Sequence, residues 1–369
     1  MEKTKSKTKL ILKYVGRFLT VIGVTLLALV LIVYSTGLVI THGTSESARD
    51  LFVQSLNETS AAKWIPKLFL SSSKIDSILG NRNNDVHEEM NPGLIVMPNP
   101  DNDTSAEYEE NSGYVPNAPS YDLPVSDDKI VVDDNGVKIV DVDGFTYHGE
   151  MMIIDDPSRV FVATLDSYGP QSEGMTLSSF INKYDAIGGT NAGGFYDPNG
   201  TGNGGIPDGL VMGNSQILWG GEDLKYNCVV GFDENNILHV GTYSGKMAME
   251  QKIVSAVSFA PGPVLIINGK PLNEKKALGG GLNPRTAIGQ RADGAILLLV
   301  VDGRQPHSIG ATYDDLVDIM LEFGAVNAAN LDGGSSTRMH YDGVSINDCA
   351  SVTGERGLPN AILIKKEGN

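Results

Sequence analysis

From Phe18 to Ile40 the chain runs 23 residues without a charged side chain, in a stretch dominated by Val, Leu and Ile. As a helix at ~1.5 Å per residue it reaches ~34 Å, enough to cross a ~30 Å hydrocarbon core. A segment in lipid must satisfy its backbone internally, so this stretch has to be a helix if it crosses. A cleaved signal peptide is the rival reading, but its apolar region usually runs about 7–15 residues and ends in a small-residue cleavage site. Lys3, Lys5, Lys7, Lys9, Lys13 and Arg17 precede the stretch, and little Lys or Arg follows it. The positive-inside rule then makes residues 1–17 a cytoplasmic tail, 18–40 a single-pass transmembrane helix, and the rest extracellular at the cell membrane.

The charge balance supports that division. The chain carries −17 overall, and its first 17 residues hold six bases against Glu2, so the remainder carries −22. Such a body repels phosphate backbones, which argues against nucleic acid as a partner but leaves room for a local basic pocket. Cys228 and Cys349 are the only cysteines. No CxxC or Cys/His spacing indicates a metal, and no cofactor motif is present, so neither is expected. Outside the cell the two cysteines could pair; the alternative is two separate thiols.

Residues 41–80 hold short apolar clusters, around Leu51-Phe52-Val53 and from Trp64 to Leu70, that predict a juxtamembrane helical stalk. Residues 81–128 shift to Pro, Asn and Ser, with eleven acids against Arg82. That composition predicts a disordered, self-repelling spacer. The body is residues 129–369. Short β-branched runs separated by Asn-Gly and Asp-Gly turns predict many strands, and Thr312–Phe323 is the one strong helix, with a capping-box-like start at Thr312 and Asp315. The expected class is α+β, a mixed, strand-rich sheet domain with few helices.

Four glycine-punctuated segments could carry chemistry. The first holds Asn191, Gly193 and Gly194, where glycine lets backbone approach a ligand; a bulge and long loop is the plainer reading. The loop from Asp197 to Asp208 superficially matches a calcium loop but lacks the bidentate Glu and a leading helix. The second holds Arg285 and Thr286 at a strand start. It has no P-loop ending, and Arg285 could either fork an anion or pair with an acid. The third is Asp302-Gly303-Arg304. The fourth is Asn330-Leu331-Asp332-Gly333-Gly334-Ser335-Ser336. Two aspartates at strand ends could form an acid/base pair, although Asp-Gly also turns hairpins. A Ser335 or Ser336 nucleophile with His307 or His340 lacks the Gly-x-Ser-x-Gly elbow.

In this order the segments Asn191-Ala-Gly-Gly-Phe195, Arg285-Thr-Ala-Ile-Gly289, Asp302-Gly303 and Asn330 to Ser336 resemble the phosphodiester glycosidase family, over about Lys129 to Lys365. Each motif alone is weak, and the ordered set is specific. Ser335 stands where many members have a third glycine. The resemblance implies hydrolysis between a sugar, such as N-acetylglucosamine, and a phosphodiester, with a cell-surface polysaccharide as one setting. It implies catalytic roles for Asp332, Asp302, Arg285 and Asn191. Substrate contacts would come from Gly193, Gly194, Thr286, Arg304, Gly333, Gly334, Ser335, Ser336 and Arg356. The competing reading is a non-catalytic glycan-binding or assembly module for exopolysaccharide or wall polymer.

Overall fold

The computed structural model describes residues 2–59, 61–80, 89–96, 124–260, 262–272, 278–351 and 354–367. Most of the expected spacer, 81–88 and 97–123, lies outside the described residues. The intervening residues 89–96 pack on the body: Val96 N donates to Ala292 O at 2.7 Å, and Ile95 is buried.

The N-terminal helix α1 spans Glu2–His42, longer than the apolar segment because its basic start continues the helix. Its stretch Leu12–His42 is long and apolar enough to cross a membrane, and its side chains between Leu12 and Val33 are exposed throughout. Helices α2 (Glu46–Asn57) and α3 (Ser72–Leu79) follow, each started by a serine cap, Ser45 and Ser71. They share a small core of Val53, Ile75 and Ile78. Phe69 joins this stalk to the end of α1, its ring centroid 5.3 Å from Tyr34 and 6.3 Å from Phe52.

Among the described residues the body is built from eighteen strands. The first group is β1 (Ile130–Asp134), β2 (Val137–Asp143), β3 (His148–Ile154), β4 (Val160–Thr164), β5 (Ala186–Asn191) and β6 (Val211–Gly213). The second is β7 (Gln216–Trp219), β8 (Tyr226–Asp233), β9 (Leu238–Tyr243), β10 (Ile253–Ser258), β11 (Val264–Ile267) and β12 (Lys270–Pro271). The last is β13 (Arg285–Arg291), β14 (Ile296–Val301), β15 (Ala325–Asn330), β16 (Met339–Tyr341), β17 (Val344–Ser345) and β18 (Asn360–Lys365). One sheet of eight runs β1-β2-β3-β14-β13-β15-β11-β12; two sheets of five run β7-β6-β10-β8-β9 and β17-β16-β5-β18-β4. The strand-rich α+β reading holds. Every pairing among these strands is antiparallel, however, so the sheets are not mixed in direction. Consecutive partners such as β1-β2, β8-β9 and β13-β14 are hairpins, and the few helices do not make parallel crossovers.

The principal core lies between the eight-stranded sheet and the other two. Ile139, Met152, Leu298 and Val300 meet Val230 of β8 and Ile362 of β18 there. The opposite face of the large sheet is covered by α6 (Tyr313–Glu322), which follows α4 (Leu177–Lys183) and α5 (Gly245–Glu250) in the chain. The start of α6 is the expected capping box: Asp315 N donates to Thr312 Oγ1, and Thr312 N donates to the Asp315 carboxylate. Thr312→Ala removes the side-chain acceptor and should cost about 1 kcal/mol. The measurement is a melting curve, with a fall of roughly 2–4 °C expected for a body of this size.

Candidate active site

Strands β5, β13 and β15 bring three of the four glycine-rich segments together. Asn191 ends β5, Arg285 and Thr286 begin β13, and Asp332 follows β15. Asn191 is fully buried and its amide is engaged on both sides. Its Nδ2 donates to Asp332 O at 2.6 Å; its Oδ1 accepts from Thr286 Oγ1 at 2.9 Å and Arg338 N at 3.0 Å. Asp332 N donates in turn to Ala192 O, and Leu331 N to Thr286 O. Asn191 and Thr286 thus fix the backbone that presents Asp332.

The loop after Asp332 approaches the start of β13 too closely for side chains. A Cβ at Gly333 would lie 2.7 Å from Pro284 O, and Gly334 has φ +63° with Arg304 against its open side. Gly334 N donates to Pro284 O. These are the positions where glycine is required, by contact at one and by backbone conformation at the other. Ser335, standing in place of a further glycine, accepts a hydrogen bond from Arg356 Nη1 at 3.2 Å.

Two arginine walls face the Asp332 segment. On one side Arg356 pairs with Asp197 at 3.0 Å, donates to Gly202 O, and lies over the Phe195 ring at 5.2 Å. The loop from Asp197 to Asp208 is therefore tied to this arginine through its first carboxylate, whose oxygen also accepts from Gly202 N. On the other side Arg304, at φ +59°, donates to Asn283 Oδ1 at 3.0 Å. Next to it Arg285 is buried, stacked on Tyr313 with its guanidinium carbon 4.1 Å from the ring centroid, and donates to Ala311 O and Gly281 O.

Glu58, just past the end of α2, was not visible as a site residue in the sequence. Its Oε2 accepts from Arg285 Nη2 at 2.9 Å and from Asn283 Nδ2 at 2.9 Å. Ser55 Oγ accepts from Leu282 N. The stalk thus lies across the arginine wall, more than two hundred residues away in sequence.

Asp332 is the electrostatic centre. Burial pushes its carboxyl up to about 7, against the opposing pull of a Ser336 hydrogen bond and the Arg356 charge. Arg304 is pushed down by burial and by Arg285, and pulled back up by Glu58 and Asp332. Asp302 is placed differently. Its buried carboxylate accepts from Asn347 Nδ2 at 3.0 Å and Asp348 N at 3.2 Å, with His307 Nε2 at 3.5 Å. Gly193 N donates to Asn360 Oδ1, and a Cβ at Gly194 would strike Phe259.

His307 faces Asp302 and His340 faces Ser178 at 3.4 Å, so neither histidine is bonded to Ser335 or Ser336. The cysteines are separate thiols: Cys228 is buried, pushed up to about 12 by that burial, and Cys349 donates to Ser335 O. Two carboxylate–histidine groups could hold a metal, Asp141/His148/Glu150 and Asp302/His307/Asp348.

Comparison with known proteins bears on the fold and on part of the chain. Residues 184–365, just under half of the chain, match the family described as phosphodiester glycosidase. The chain is similar in fold to the zebrafish N-acetylglucosamine-1-phosphodiester alpha-N-acetylglucosaminidase catalytic domain, which is auto-inhibited by its pro-peptide. That likeness has a TM-score of 0.50 at 19% identity and covers 63% of this chain and 82% of that one. A putative exported protein from Burkholderia pseudomallei matches with a TM-score of 0.43 at 15% identity, over 65% of this chain and 76% of that one. The SPbeta prophage-derived uncharacterized protein YomE of Bacillus subtilis (strain 168) is 40% identical over 110 residues. That match spans 29% of this chain and 17% of YomE.

Proposed function

We propose that this chain is a membrane-anchored, extracytoplasmic hydrolase that cleaves the bond between the anomeric carbon of a sugar and a phosphodiester. The observation that carries the reading is a near-neutral carboxyl, Asp332, set between Arg356 and Arg304. Arginine forks match phosphate oxygens, and a carboxylate is what an oxocarbenium-like carbon requires. In the reaction, water attacks the anomeric carbon and gives its proton to Asp332. The carbon–oxygen bond breaks, its electron pair stays on the phosphate oxygen, and a phosphate monoester leaves. Arg304 and Arg356 stabilise the charge gathering on that group. Asn191 and Thr286 act as positioning residues, and Asp302 lies to one side with Asn347 and Asp348.

The seat of Glu58 supports an anion site at Arg285 and Asn283. A carboxylate held by arginine and amide donors stands in for one edge of a phosphate. The zebrafish domain is auto-inhibited by its pro-peptide; here the stalk plays the corresponding covering part. Because α2 is only ~18 Å long and Gly43 to Ser45 join it to α1, Glu58 stands within about 30 Å along the chain of the end of α1. This favours a glycan phosphodiester at the membrane surface over a distant one.

The test is release of reducing sugar from a sugar 1-phosphodiester by the full chain in detergent. No release, with retained binding of the same compound, would favour the glycan-binding reading instead. A second measurement addresses Arg356. Arg356→Lys keeps the charge but loses the separate contacts of Nη1 with Ser335 and Nη2 with Asp197 and the stack on Phe195, and should raise KM about tenfold, or ~1.4 kcal/mol. An unchanged KM removes Arg356 from the substrate site.

A further inference from the structure

A second group of ionisable side chains lies on the inner face of the eight-stranded sheet, where β2, β3 and β14 run side by side. Register places Asp141 opposite Glu150 and Asp143 opposite His148. Glu150 also faces Val300 across the other edge of β3, and Asp302 N donates to His148 O at 2.9 Å. Side chains two apart on a strand share a face. Asp141, Asp143, His148, Glu150 and Asp302 therefore all project on the side of Ile139, Met152 and Val300, at the end of the principal core.

Within this row the donor atoms of Asp141, His148 and Glu150 lie within 4.8 Å of one another. The Glu150 side chain is only 7% exposed, and its Oε2 is buried without a hydrogen-bond partner. A buried carboxylate oxygen left unpaired costs a few kcal/mol, so something is expected to meet it. Among the described residues no lysine or arginine is bonded to it, and Lys129 nearby is paired with Asp143.

His148 is oriented for ligation. Its Nδ1 lies 2.8 Å from Asp143 Oδ1, which fixes that nitrogen as the donor and turns Nε2, with its lone pair, toward Glu150. A carboxylate behind a histidine is the usual outer support of a metal-bound imidazole. Nε2 and Glu150 Oε1 are 3.6 Å apart, too far for a good hydrogen bond. Two donors each about 2.1 Å from one tetrahedral ion stand roughly 3.4 Å apart, so the gap suits a shared ion.

We propose that Asp141, His148 and Glu150 hold a divalent transition-metal ion of the zinc or manganese class, with Asp143 as the outer support of His148. The imidazole ligand selects this class over calcium, which takes oxygen ligands only. Asp143 and Asp302 lie beside the three ligands, so a dication there would meet a concentration of carboxylates. The neighbouring Asp302, His307 and Asp348 also converge within 4.8 Å, with the His148 and His307 rings 6.4 Å apart. They add negative potential to the site and need not ligate the ion.

The experiment is zinc titration of the full chain in detergent, followed by calorimetry, with Co²⁺ absorption to report ligand geometry. One tight equivalent is expected, together with a rise in melting temperature on adding zinc. His148→Ala and Glu150→Gln should each weaken that equivalent by more than about 100-fold and abolish the thermal shift. Asp143→Asn should weaken it by about 10–100-fold, the effect of losing an outer support. Glu150→Gln is isosteric with the protonated acid, so it preserves the fold if His148→Ala does not. Absence of a tight equivalent in the wild type, or equal binding by Glu150→Gln, overturns the site and leaves Glu150 as a buried neutral acid.

Discussion

Asp332→Asn should lower turnover of a sugar 1-phosphodiester by about a thousandfold or more, within the range that a positioned acid or base contributes. The backbone around residue 332 is held by Asn191, Ala192 and Pro284 through bonds that the substitution does not touch. The variant should therefore fold, and its binding of substrate should change much less than its turnover. Retained turnover would refute the assignment. The pH dependence gives a second readout. With the folded carboxyl at about 7, the proton-accepting form grows as pH rises through 7, so the rate should rise across that interval. A rate that falls there would make Asp332 the acid instead.

The same shift predicts a stability effect with a definite sign. The folded value lies above the unfolded one, near 4 for an aspartate, so the folded state holds its proton more tightly. The wild type is then relatively most stable below pH ~4 and loses stability as pH rises toward 7. Asparagine, which cannot ionise, escapes that loss. Asp332→Asn should gain melting temperature over the wild type between pH ~4 and ~7 and hold a constant advantage above. A flat difference across that range would show that the carboxyl is not buried as described.

Glu58→Gln should make the arginine wall more open to anions, with KM for a phosphodiester falling about tenfold and inorganic phosphate inhibiting more strongly. The physical reason is competition. Glu58 Oε2 takes donors from both Arg285 and Asn283, and Glu58 O lies at the limit of contact with Arg304. The variant should also be less stable, because Arg285 is 5% exposed at its side chain and loses its countercharge. Removing one partner of a buried pair costs roughly 3–5 kcal/mol, and about 2 is expected here because Glu58 remains 16% exposed. Added phosphate should restore the lost melting temperature by refilling the site. A variant with unchanged KM and no phosphate rescue would show that the stalk contact is structural only.

Much of the site was legible because its chemistry is written in local runs. The Asn191, Arg285 and Asp332 segments combine glycine with polar side chains where strands end, and all three converge. What the runs could not show is the direction in which each side chain is spent. Asn191 carries a catalytic role by resemblance, yet its amide braces Asp332 and Arg338. Asp302 read as a partner for Asp332, yet its carboxylate turns to Asn347 and Asp348. Strand β15, Ala-Val-Asn-Ala-Ala-Asn, has little β propensity of its own and is a strand because β13 and β11 pair with it on either side.

By itself the sequence determined the properties that depend on composition and short-range pattern: a helix long and apolar enough to span a bilayer, a strand-rich α+β body, and the glycine-rich segments of the site. These follow from local rules of length, periodicity and backbone freedom. Only the tertiary structure decided which charges meet. Glu58 on Arg285, and Asp141 beside Glu150, are contacts made by docking and strand register, and neither leaves a local spacing in the chain. Electrostatic neighbours are set by distance in space, so the near-neutral carboxyl of Asp332 and the unpartnered oxygen of Glu150 emerge only when the sheets are assembled.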